Sequence, residues 1–238
     1  MQESNPAMIA TGSAAISDSW LHRPWAGAMM RCIADPAADF DDAIAKDWPE
    51  WLPREPARAD SFIRMRLGSR LLRDQDRGAS AIISAGHAPR TRLAFLPVPD
   101  AVRLMCLAAA WTGVPSLVGQ LRNPDVVAAR SVLGEDAFSF AFHAALLPRP
   151  TARLMSAIGA SKLPNGPAEL LHCGAAMFGL AMGCIPDALQ VRLRLRSPAS
   201  IWTVAANACR NDSAGEDAFH AMRRLVRKRM ALWSHWFD

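Results

Sequence analysis

Five cysteines and six histidines are the residues of this 238-residue chain best suited to chemistry. His172 and Cys173 are adjacent, and Cys184 follows 11 positions after Cys173. Metal centres built from thiolate and imidazole use short spacings such as C-x-x-C, H-x-x-x-H or H-E-x-x-H, and none of these occurs. Cys173 and Cys184 stand in apolar text, where a thiol acts as a small hydrophobe. Cys32, Cys106 and Cys209 are isolated and read the same way, so all five are expected to be structural, with no metal. An odd count without regular spacing also argues against a disulfide framework and suits a reducing compartment.

Covalent and acid–base catalysis find equally little. There is no G-x-S-x-G elbow and no cysteine with a local catalytic signature. His143 or His172 could pair with a distant thiol or carboxylate, but the simpler expectation is a partly buried histidine with one hydrogen-bond partner. Paired carboxylates would have to come from Asp39 to Asp47, which reads as a solvated helix face. Gly174, Gly179 and Gly183 lie in an apolar helix with no lysine and no preceding strand. They suit close helix approach rather than phosphate binding. No cofactor is implied, and the chain is not expected to be an enzyme.

The most specific surface signal is basic. Residues 217–238 balance to +3. Arg223, Arg227 and Met230 stand at i, i+4 and i+7, while Met222, Leu225, Leu232, Trp233 and Trp236 can form an apolar stripe. A solvated basic face is the plain reading. A protein or membrane-surface contact is a second, and helix-turn-helix binding of DNA a third.

The elements that must position these residues are helical. Apolar residues make up 51% of the chain and charged residues 21%, enough apolar mass to offset the ordering entropy of a core. Met1 to Ser19 lacks a basic n-region and an apolar h-region, so it is not a signal peptide. Leu170 to Ile185 is interrupted by His172 and is shorter than the roughly 20 residues a bilayer needs. It reads as a buried helix, and a soluble cytoplasmic protein is expected. Residues 1–19 are expected to be disordered. Residues 20–57 form an acidic Trp/Pro-rich segment with a short helix from about Pro36 to Lys46. Residues 58–212 read as a helical core and 213–238 as a basic amphipathic helix. Within the core, helices are expected over 58–77 (stopped by Gly78), from Pro99 to Thr112, from Asn123 to Gly134, from Glu135 to Leu147 and from Gly166 to Cys184. Residues 79–97 read as a loop with at most a short element. Phe138, Phe140 and Phe142 alternate as in a strand, yet their alanine-rich surroundings favour helix. Ser213 to Glu216 fits a capping box. The fold class is all-α: a single multi-helix domain with a less regular N-terminal segment.

Charge is uneven. Residues 1–60 balance to −5 and residues 61–238 to +10. The two parts could fold against each other, or each could face a different partner.

Four segments carry a resemblance: "AAAWTGVPSL" (Ala108–Leu117), "VLGEDAFSFAFHAALL" (Val132–Leu147), "LPNGPAELLHCGAAMFGLAM" (Leu163–Met182) and "LQVRLRLRSP" (Leu189–Pro198). In this order they resemble the K component of type III secretion sorting platforms, the SctK/YscK/OrgA family, in its Hrp and rhizobial branch. The opening "WLHRPWAGAM" (Trp20–Met29) is similar to that family's aromatic/His/Pro start. The chain departs in having no tyrosine, with Phe138 and Phe140 at the aromatic positions, and in a longer, more basic region after Pro198. The resemblance implies a non-enzymatic α-helical adaptor in a secretion system serving virulence or symbiosis. It would lie at the cytoplasmic face of the inner membrane and link the ring's D component to the pod's Q component. Contact residues are then expected at Trp20, His22, Trp25, Trp48 and Trp51 and at Arg223, Arg227, Trp233 and Trp236. Trp and Arg are common interface anchors. A helical DNA-binding regulator using the basic last helix is the alternative, with nucleic acid the less expected partner.

Overall fold

Apolar text bounded by proline and glycine becomes helix almost wherever it occurs in the structure, a computed structural model that describes residues 21–42, 46, 55, 58–72, 78–113, 123–144, 147–159, 167–209 and 214–237. The expected disorder of residues 1–19 lies outside the described residues, as do Trp20, Trp48, Trp51 and Ser213. The helices are α1 (Ala26–Ala34), α2 (Ser61–Leu71), α3 (Ala79–Gly86), α4 (Val98–Thr112), α5 (Asn123–Ala144), α6 (Ala152–Ala157), α7 (Pro167–Met182), α8 (Asp187–Arg194), α9 (Ala199–Ala208) and α10 (Gly215–Arg229). No strand forms among the described residues, and the fold is all-α.

The centre is α7. Its Leu170, Cys173, Met177, Phe178 and Leu180 are buried, and α4, α5, α9 and α10 pack around it. Two glycines set how closely they approach. A Cβ on Gly174 would collide with the Met105 carbonyl of α4, and one on Gly179 with the Ala205 carbonyl of α9. These glycines serve close helix approach, as their apolar surroundings suggest. In α4 every residue from Leu104 to Thr112 is buried. The Thr112 hydroxyl is satisfied within the helix, donating to the Ala108 and Ala109 carbonyls at 3.0 and 3.1 Å.

Gly134 breaks α5 in two. Its φ of 78° and ψ of 161° belong to a region that glycine alone enters easily. The phenylalanines after it are helical, with Phe138 and Phe142 meeting edge to face at 5.5 Å across one turn.

Several expectations need correction. Residues 79–97 are not a loop: α3 and a 3-10 turn, Thr91–Phe95, occupy most of them. Gly78 stands at the N-cap of α3 instead of closing the preceding helix. Among the described residues the helix expected from Pro36 begins instead as a 3-10 turn, Pro36–Asp39, which ends where Phe40 turns extended and pairs with Arg196 in an isolated bridge. Two carboxylates of this Asp-rich segment are tied inward, while Asp42 is exposed and Asp47 lies outside the described residues. Asp39 reaches Arg196, and Asp41 Oδ2 accepts the Ala199 N–H at 2.7 Å, capping α9 from a distant part of the chain. The Ser213 half of the capping box lies outside the described residues; Ala214 is the N-cap of α10 with no side-chain bond, and Glu216 reaches Arg90. Finally, α10 stops at Arg229, and a 3-10 turn, Ala231–Phe237, carries the chain back onto the core.

Candidate interaction surfaces

The residues expected to meet partners divide into inner and outer groups. Trp25 is 3% exposed and Trp236 is 2% exposed, so both are core residues. Arg92 joins them. Its guanidinium stacks on Trp25 at 4.8 Å. It donates to the carbonyls of Gly86 at 3.2 Å, His87 at 3.0 Å and Trp236 at 2.8 Å. Trp25 also meets His87 edge to face, and half-buried Trp233 meets Trp236 at 4.7 Å. Among the described residues, Trp25 and Trp236 thus belong to one inner cluster rather than to two outer faces. Burial, and secondarily the nearby Arg23, lower the pKa of Arg92.

Two further arginines play similar interior roles that the sequence does not announce. Arg90 closes the end of α7, donating to Leu180 and Ala181 carbonyls at 3.0 and 3.2 Å, and pairs with Glu216 of α10 at 3.0 Å. Arg196 is 4% exposed. It donates to the Ala94 carbonyl at 2.8 Å, lies 3.4 Å from Asp39 and stacks on Trp202 at 5.0 Å. A cavity of about 110 Å³ opens beside it, lined by Arg31, Cys32, Asp35, Asp39 and Phe95 among others.

The chemistry-bearing residues are dispersed. His143 is exposed and donates to the Ser139 carbonyl of its own helix at 3.1 Å, and His172 is exposed as well. Both correct the expectation of partial burial. Cys32, Cys106, Cys173 and Cys209 are buried, while Cys184 is exposed. Burial pushes the Cys32 thiol up, against the opposing pull of Arg196 and Arg192. It pushes Cys106 to about 11 and, together with Glu169, raises Cys173. Among the described residues no three His, Cys, Asp or Glu side chains gather as a metal site would require.

Two helices carry outward faces that could meet partners, beside the exposed Val127 and Phe142 of α5. The inner side of α2 is anchored: Gly68 lies against Pro36, Leu67 and Leu72 are buried, and Arg64 pairs with Asp35 at 2.9 Å. Its outer side holds Phe62 at 56% exposure and Met65 at 48%, three residues apart on one line, with Ile63 exposed beside them. Arg66 stacks on Phe62 at 4.8 Å. On α10, Arg227 is exposed with Arg224 and Lys228, Arg223 is half-buried, and Arg229 stacks on Phe140 at 4.9 Å. His22 is exposed. The α2 surface escapes a sequence reading because Phe62, Ile63 and Met65 look like core residues of an amphipathic helix. The buried side is the one carrying Arg64 and Gly68.

No family model, curated protein or solved structure matches this chain. Among the described residues no helix is long and apolar enough to cross a membrane.

Proposed function

We infer that the chain is a non-enzymatic adaptor of a type III protein secretion system, linking the D component of the inner-membrane ring to the Q component of the pod at the cytoplasmic face of the inner membrane. The observation that carries an adaptor role is the outer side of α2. A contiguous exposed apolar patch is suited to contact with a partner. Phe62, Ile63 and Met65 stand in water beside the stacked Arg66, and aromatic, Met and Arg side chains are enriched at such contacts. The secretion assignment rests on the resemblance across Leu93 to Arg196. That stretch contributes α4, α5 and α7 to the all-α core.

Affinity purification of the tagged chain from its native host, followed by mass spectrometry, is the test. Recovery of the ring D protein or the pod Q protein is expected, with recovery lost in a Phe62→Ser/Met65→Ser double variant. Recovery of neither overturns the secretion reading. Recovery unchanged in the double variant overturns the assignment of α2 as the contact.

A further inference from the structure

We propose that the outer face of α10 and the turn after it bind an anionic phospholipid surface. The argument uses α10 and the turn after it and does not depend on the adaptor reading. Arg223 to Arg229 contains five cations and no carboxylate. Phe219, Met222, Leu225 and Val226 face the core, which leaves Arg224, Arg227 and Lys228 outside. At Met230 the backbone leaves the helix (φ −137°, ψ 52°), and the following turn returns Trp236 and Phe237 to the interior. That same turn holds Leu232 outward at 73% exposure, four residues beyond Lys228.

Cations at a helix C-terminus complement the macrodipole. That accounts for Arg227 and Lys228, but not for a leucine kept in water beside them. Charge complementarity selects an anionic surface, and juxtamembrane cations gain from the negative potential of acidic headgroups. Leu232 selects lipid among anionic surfaces. An interfacial helix sinks its apolar side chains to the acyl boundary while its basic residues stay with the headgroups. Duplex DNA would match the cations and offer the leucine no apolar medium.

The experiment is co-sedimentation of the full chain with vesicles of phosphatidylcholine alone and of phosphatidylcholine mixed with phosphatidylglycerol. Binding only to the mixed vesicles, weakened by salt, is expected. Neutralising Arg224, Arg227 and Lys228 to Gln should weaken it by about five-fold per cation. Leu232→Ser should weaken it further, with the circular dichroism spectrum of each variant unchanged. No binding to mixed vesicles overturns the proposal, as does equal binding by the triple variant. A salt-sensitive shift of duplex DNA without vesicle binding overturns it in favour of nucleic acid. The Phe62→Ser/Met65→Ser variant keeps its vesicle binding, so the two proposals fail separately.

Discussion

Arginine is used here as interior mortar. Arg90, Arg92 and Arg196 each donate to main-chain carbonyls that helix ends and 3-10 turns leave open. A planar guanidinium reaches several such acceptors at once, which an ammonium cannot do. The thiols are interior groups too, and this makes a prediction. A thiol reagent at neutral pH labels Cys184 and leaves the four buried cysteines unlabelled until the chain unfolds. Cys106 titrates near 9.0 when unfolded and at about 11 when folded. The folded state therefore retains a proton that the unfolded state releases. Its contribution to stability is complete below pH 9 and is lost as pH climbs through about 11. Chemical denaturation across this range checks the sign: midpoints that rise with pH would contradict it.

At the level of elements, two glycines that look alike in sequence do different work. Gly134 has open space where a Cβ would stand, but a positive φ. Gly174 has helical backbone, but no space. Gly134→Ala should cost about 1–3 kcal/mol through backbone strain alone. Gly174→Ala should cost at least as much by forcing α4 and α7 apart. It should also leave a looser core, so only the second variant gains binding of a hydrophobic dye. Equal dye binding by both would contradict the distinction. Such helix breaks and close approaches are legible in sequence because they depend on local residues. The same is true of the helical state of Phe138 to Phe142. The Asp-rich segment was not legible. Asp39 and Asp41 find their partners at Arg196 and Ala199, more than 150 residues away, and no local spacing reports such a pairing. For the same reason Trp25 and Trp236 look like exposed anchors in sequence, since nothing near either one announces Arg92.

For the molecule as a whole, the acidic front folds in part against the basic remainder. Asp35 meets Arg64, Asp39 meets Arg196, and Asp41 caps α9. One hydrophobic cluster extends from Trp25 to Phe237. A lesion at one end should therefore be felt at the other. Trp236→Ala should cost about 3–5 kcal/mol and shift the emission of the remaining tryptophans to the red. It should also open Trp25, buried beneath Arg92 and against His87, to faster oxidation. Loss of stability with Trp25 still protected would mean that the two ends are held independently.

The bond from Arg92 to the Trp236 carbonyl spans 144 positions. On the ribosome, chains grow at about 5–20 residues per second. Arg92 therefore waits on the order of ten seconds before the acceptor it needs has been made. During that interval Arg92 can already rest on Trp25, while the place of Trp236 beside it stays unfilled. The α4–α7 centre can close as the chain is synthesised, but the bond that joins the Trp25 end to the Trp236 end forms only after Trp236 is translated.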